Sequence, residues 1–171
     1  NFYIQVNSKN VLDHRKLKNL RLNINYENEI LNFNESTLLL DDILLVRLLN
    51  SEFKSFKNRH FFIGEFEFLI NNHLNLYKFF QTPKIDRKKI KTINAVVKYD
   101  FLKNDLQIAR ITINKKTSEN MKNVIEEFNK ENKKFGNRID LRNFFNYLVK
   151  GLWWFDHLFG INNFVVFFFV N

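Results

Sequence analysis

In "HFFIGEFEFLI" (residues 60–70) apolar and polar side chains alternate: Phe62, Phe66, Phe68 and Ile70 fall on one side, Glu65 and Glu67 on the other. A period of two is the mark of a half-buried β-strand, so this pattern restricts the chain to folds built on a sheet. Alternation returns in "INAVVKYDF" and "LQIARITIN", which flank the polar break "LKND". Ile93, Val97, Tyr99 and Phe101 share one face, and Ile111 and Ile113 share one on the return strand, predicting a hairpin near 93–114. A second hairpin is expected near 61–80, where Asn71-Asn72 leads into "HLNLYKFF" and Leu74 and Leu76 alternate with Asn75. "NFYIQV" and "LRLNINYENEILNF" add two strands, with Phe2, Ile4 and Val6 on one and Leu20, Leu22, Ile24 and Tyr26 on the other.

Helical spacing appears three times. In "LLLDDILLVRLLNSEFKSF", Leu39, Ile43, Val46, Leu49 and Phe53 recur at three or four residues, and Ser36 or Thr37 can cap. This predicts a helix over about 37–56, apolar on more than one side and therefore buried. Thr117 or Ser118 caps a second helix, 118–134, with the narrow stripe Met121, Val124, Ile125 and Phe128 and Gly136 as its stop. Asp140 caps a third, about 140–159, with Leu141, Phe144, Phe145, Leu148, Leu152 and Phe155 in register and Gly160 after it. "NFVVFFFV" then predicts a buried strand over 164–170. The expected fold is α+β: one compact domain over 1–171, about six mostly antiparallel strands and three helices.

The aromatic ending raises the question of a membrane. A spanning helix needs about twenty predominantly apolar residues. The window 152–170 is interrupted near its middle by Asp156, His157, Gly160, Asn162 and Asn163. A carboxylate at mid-bilayer costs about 2.5–3.5 kcal/mol on insertion scales. The unbroken run 164–170 is too short for a helical span and is read as a strand covered by protein, because bare exposure would invite aggregation.

Charge points to the partner. The chain carries 27 Lys and Arg against 18 Asp and Glu, a net charge of +9. Such a balance favours polyanions. The cations are grouped. Arg15, Lys16, Lys18 and Arg21 lie in "HRKLKNLR"; Lys84, Arg87, Lys88, Lys89 and Lys91 lie in "PKIDRKKIK", read as the link between the two hairpins. Lys115 and Lys116 follow the second hairpin, and Lys130, Lys133, Lys134 and Arg138 surround the end of the second helix. Four cationic loops on one small domain read as a surface for RNA phosphates, because each neutralised phosphate releases condensed counterions. Taken singly, each is also consistent with a solvated turn, or with lysines complementing a helix dipole at Lys133 and Lys134. No aromatic ribonucleoprotein motif and no G-x-x-G loop is present, so base-specific reading is not expected.

No catalytic motif stands out. His14, His60, His73 and His157 are scattered without metal-ligand spacing. Cysteine is absent, which removes thiolate chemistry and disulfides. Glu65 and Glu67 read as the solvated face of a strand, and Asp41-Asp42 as partners of nearby Arg or Lys, with Arg47 a candidate. Asp156-His157 has no Ser in a nucleophile motif. No enzyme activity, cofactor, metal or small-molecule substrate is expected.

The residue choice itself carries information. Asn occurs 27 times and Lys 19, against 2 Ala and 1 Pro. Asn is a poorer helix former than Ala, so the excess is not a folding requirement. Phe, Tyr, Met, Ile, Asn and Lys, all with AT-rich codons, make up 88 of the 171 residues, as an AT-rich genome would produce. With its basicity, this character resembles ribosomal proteins encoded by protist mitochondrial genomes. The resemblance implies a structural constituent of the mitochondrial ribosome in the matrix, partnered by rRNA and other ribosomal proteins. An accessory subunit of an inner-membrane respiratory or ATP synthase complex is the alternative, its aromatic end leaning on the bilayer or a membrane subunit.

Overall fold

The computed structural model describes residues 1–11, 14–131, 135 and 137–152. Its strands are β1 (Phe2–Val11), β2 (His14–Glu27), β3 (Ile30–Asn32), β4 (Thr37–Leu40), β5 (Leu44–Phe56), β6 (Arg59–Ile70), β7 (Thr92–Asp100) and β8 (Asp105–Ile113). Its helices are α1 (His73–Phe79), α2 (Glu119–Lys130) and α3 (Arg138–Lys150), with a 3₁₀ turn at Lys84–Asp86. All eight strands join one antiparallel sheet in the order β1-β2-β3-β5-β6-β7-β8, with β4 also between β2 and β5. The class is thus α+β.

β3 and β4 form one column of the sheet. Leu31 opposite Phe53 and Leu40 opposite Leu44 lie in a single register along β5. Between them the chain bulges at 33–36, and side chains replace the missing ladder bonds. Ser36 Oγ accepts from Asn23 N–H (2.9 Å), and Asn23 Nδ2 donates to Glu35 O (3.0 Å). Ser51 Oγ accepts from Phe33 N–H (2.7 Å), and Asn34 Oδ1 accepts from Ser51 N–H (2.7 Å). This explains why Asn23, Ser36 and Ser51 are buried: each satisfies backbone groups that would otherwise lack a partner.

Register divides the sheet into two faces. One carries Leu44, Val46, Phe68, Ile70, Ile93, Ala95, Val97, Ile108, Ile111 and Ile113, which pack with Tyr77, Met121, Ile125, Phe128, Phe145 and Val149 of the helices. The same face continues through Phe62, Phe53, Leu31 and Tyr26 to Phe2 on β1. There no described helix covers it, and Phe2 and Ile4 are each 48% exposed. The other face carries ion pairs, Glu67 with Arg47 (3.5 Å) and Glu65 with Arg110 (3.7 Å), beside Leu39, Leu45 and Leu69.

Several expectations are corrected. Residues 37–56 form the β4–β5 hairpin, not a helix. The Leu-rich run fits either period when both faces are covered, and the turn is set by Asp41, whose φ of 47° no helix allows. "HLNLYKFF" is helix α1 and not the second arm of a hairpin. Asn72 caps it by accepting from Asn75 N–H (3.1 Å), and Leu76 and Tyr77 turn into the core. β6 pairs instead with β5 and β7. Among the described residues the sheet has eight strands rather than about six. The first two strands run longer than the alternation indicated and pair with each other, so "HRKLKNLR" lies in a strand, not a loop. The cap of α3 is Asn137, three residues before Asp140. The β7–β8 hairpin and the Ser118 cap of α2 stand as expected, but α2 ends at Lys130 with Glu131 as its cap, short of the expected 134. Gly136, the part of the third helix beyond 152 and the strand at 164–170 lie outside the described residues.

The turns use no glycine. Asn28-Glu29, Lys57-Asn58 and Asn114-Lys115 each place two successive residues at positive φ, the geometry that matches the twist of a hairpin. Asn tolerates this conformation better than most residues, and it also supplies Asn19 and Asn104 at positive φ.

Candidate nucleic-acid interface

Two of the basic stretches are joined by one side chain. After the 3₁₀ turn the chain runs extended, and Ile90 is buried while Lys89 and Lys91 on either side are exposed. Tyr77 holds the segment from beneath: its hydroxyl donates to Lys88 O and accepts from Lys88 N–H (2.9 Å). Burial raises the Tyr77 pKa, so the hydroxyl keeps its proton. From the end of β8, Asn114 Oδ1 accepts from Lys91 N–H (2.8 Å) and Thr92 N–H (3.2 Å). Its Nδ2 donates to Lys89 O (2.9 Å).

Asn114 opens the tight turn that presents the next two cations. Ile113 N–H donates to Lys116 O (2.8 Å) and Lys116 N–H returns to Ile113 O (3.0 Å), so Lys115 projects at the tip. Lys89, Lys91, Lys115 and Lys116 are all exposed. Among the described residues none of the four forms an ion pair. Four uncompensated charges are thereby held on two segments fixed to each other, an arrangement suited to successive phosphates.

The neighbouring cations serve other ends. Arg87 Nε donates to Thr82 O (3.0 Å), and Lys88 Nζ donates to Leu152 O (3.2 Å) just beyond α3. Lys84 is exposed in the 3₁₀ turn.

A second group forms around Phe79 at the end of α1. Lys16 Nζ on β2 lies 5.5 Å from the ring centre, and the Arg138 guanidinium at the start of α3 lies 4.7 Å from it. Arg138 also donates to Phe79 O (3.1 Å). Residues from two separate sequence clusters thus meet on one ring, which attracts each cation through its quadrupole. Arg142 donates to Gln81 Oε1 (2.6 Å) beside them.

The other candidates are dispersed. Lys18 is bonded to Asp41 (2.9 Å), which makes Asp41 an ion-pair partner as expected, though of a lysine rather than Arg47. Arg21 lines a shallow polar cleft of about 450 Å³ with Tyr3, Asn23, Asn25, Asn32 and Asn34 on the face opposite the helices. Lys130 is exposed in the last turn of α2. The side chain of Arg15, and Lys133 and Lys134, lie outside the described residues.

Reasoning from sequence missed Asn114, Tyr77 and Arg142. Asn114 carried one usable signal, an Asn directly after an alternating strand, where a turn is favoured.

Other chemistry is sparse. Ser55 Oγ and His60 Nδ1 are 2.7 Å apart at the outer end of β5–β6, both exposed, and among the described residues no carboxylate is bonded to that ring. Among the described residues no three His, Asp or Glu side chains gather as a metal site would require, and no helix is long and apolar enough to cross a membrane. No family model, curated protein or solved structure matches the chain.

Proposed function

We propose that this chain is a structural, non-catalytic subunit of a ribonucleoprotein particle, the mitochondrial ribosome of the matrix. It holds rRNA phosphates on the corner built from Lys89, Lys91, Lys115 and Lys116. The observation that carries this reading is the Asn114 junction, which fixes to each other the two segments bearing Lys89, Lys91, Lys115 and Lys116, four lysines that form no ion pair among the described residues. The Phe79 group supplies a second cationic patch, and the aromatic sheet face gives neighbouring proteins a place to pack.

Backbone binding of this kind is salt-dependent, with a slope of about 0.9 per phosphate neutralised on a duplex. The test is filter binding of the full chain to an RNA duplex across a salt series. Replacing all four lysines by Gln should lower the slope by about 3 to 4. An unchanged slope removes the corner from the interface, and sedimentation apart from rRNA after gentle lysis removes the ribosomal assignment.

A second reading, an accessory subunit of an inner-membrane complex, is favoured by the uncovered apolar half of the sheet face. Retention in the lipid fraction on carbonate extraction, together with co-migration with a respiratory or ATP synthase complex, would support it over the first.

A further inference from the structure

The two outer strands of the sheet are finished differently. At β8, Asn129 of α2 occupies both backbone groups of Ile108. β1 forms the other edge, and among the described elements it pairs with β2 alone. Sheet edges are usually blunted by proline, lysine or a bulge. Over residues 2–8 β1 has none of these; its one lysine, Lys9, and its one irregularity, at Asn10/Val11, lie at the far end. Phe2, Tyr3, Ile4 and Val6 are 48%, 60%, 48% and 43% exposed.

A hydrogen bond one strand away shows how the β1 backbone points. Asn23 N–H donates to Ser36 Oγ (2.9 Å), and the Asn23 carbonyl accepts from the same hydroxyl (3.3 Å), so both groups face away from β1. Gln5, opposite Asn23, therefore belongs to a non-hydrogen-bonded pair, and its own N–H and carbonyl face out of the sheet. By alternation those of Tyr3 and Asn7 do the same. The edge thus presents backbone donors and acceptors at the spacing of a strand, ready for another extended chain.

We propose that this edge pairs with β1 of a second copy of the chain, antiparallel, about a twofold axis through Ile4. Two observations select that occupant. The first is pattern. With Ile4 opposite Ile4, Phe2 falls opposite Val6 of the second copy and Val6 opposite its Phe2. Of the registers that keep the apolar side chains on one face, this alone sets all three against apolar partners. Aromatic and β-branched residues paired in this way stabilise a sheet. Tyr3 and Gln5 then fall opposite each other, and they are the residues whose backbone groups point outward. The second observation is charge. Residues 2–6 and the β2 residues behind them, 22–26, hold no charged side chain, in a chain of which 26% of residues are charged. A partner of opposite charge finds nothing to complement here, and a second copy meets no like charge at the joint. Lys9, Lys16 and Lys18 lie beyond the overlap, and the twofold sends those of the two copies to opposite ends. The surface is self-complementary, as a closed dimer requires.

The chain has no cysteine, so one introduced residue reports the joint. Ile4→Cys lies opposite itself in a non-hydrogen-bonded pair, at a Cα separation of about 4.5 Å, within reach of a disulfide. Under mild oxidation the full chain carrying Ile4→Cys should become a disulfide-linked dimer. Phe2→Cys and Val6→Cys should each stay unlinked alone and cross-link when mixed. The parent chain should sediment at twice the monomer mass. Gln5→Pro, which removes an outward N–H and leaves the β1–β2 ladder intact, should sediment as a monomer with an unchanged far-ultraviolet circular dichroism spectrum. A parent that stays monomeric at every concentration overturns the proposal. So does a dimer that survives in folded Gln5→Pro, and so does cross-linking of Val6→Cys alone in place of Ile4→Cys. If Gln5→Pro does not fold, the cysteine series decides by itself. The RNA reading stands apart from each of these outcomes, because Lys89, Lys91, Lys115 and Lys116 adjoin β7 and β8 at the opposite edge.

Discussion

Asn129 on α2 closes the outer edge of β8 at Ile108: its Oδ1 accepts from the Ile108 N–H (2.9 Å) and its Nδ2 donates to the Ile108 carbonyl (2.8 Å). Ile108 sits beside the bulge where β8 gains a residue against β7, so its backbone groups face away from the ladder. A helical side chain thus supplies the pairing that a further strand would have given, and blocks that edge against another chain.

Asn129→Ala should cost about 2 kcal/mol in denaturant unfolding, because two hydrogen bonds are lost and two backbone groups are left without partners. The variant should also associate more readily, seen as concentration-dependent sedimentation.

Asn114→Ala removes three bonds to the Lys89–Thr92 segment without changing charge. RNA affinity should fall several-fold while the salt slope stays near that of the parent, because the cations remain but are no longer held in place. Filter binding over a salt series separates this from the lysine substitutions, which reduce the slope.

Glu29 and Lys57 occupy positive φ, 64° and 47°, in two-residue turns where glycine is free of the Cβ clash. Glu29→Gly and Lys57→Gly should each raise stability by about 1 kcal/mol. Both side chains are exposed, so the gain should appear in the unfolding midpoint with no change in RNA binding.

The bond from Arg59 to Asp100 holds that carboxyl below its ordinary pKa of 3.8, helped by the N–H groups of Lys103 (3.2 Å) and Leu102 (3.1 Å) and opposed by burial. A carboxylate depressed in the fold stabilises it fully above the ordinary value, and that stability is lost as pH falls through the folded value. Unfolding followed below about pH 4 should show a flatter acid limb for Asp100→Asn than for the parent.

How much of this was legible in the sequence depended on whether the signal was local. β6, β7 and β8 show in the alternation because each has one apolar and one polar face, with Glu65 and Glu67 marking the outside. The β4–β5 hairpin did not, because leucines fall on both faces, Leu40 and Leu44 on one and Leu39 and Leu45 on the other, and the turn at Asp41 has no glycine to mark it. The other tight turns were hidden for the same reason. α1 was misread because Leu74 and Leu76 alternate, while the decisive features were the Asn72 cap and the pair Leu76-Tyr77 facing the core. At the site, the clusters of lysine were visible, but not which of them were committed to carbonyls, as Lys88 is. The links made by Asn114 and Phe79 join residues far apart in the chain, so no window of sequence contains them.

The order of strands in the sheet bears on how the molecule is made. Apart from β2–β4 and β3–β5, which each skip one short strand, every ladder joins consecutive strands, and the longest link between paired strands is the one containing α1, so ring closure is short at nearly every step. As the polypeptide emerges from its N-terminal end, β1 and β2 can pair at once and later strands can be added in turn. The helices that shield the sheet, α2 and α3, are synthesised after all eight strands. A growing chain must therefore carry an assembled but bare aromatic sheet until its final third arrives, which makes the nascent protein a natural client for a chaperone at the exit of the machine that translates it.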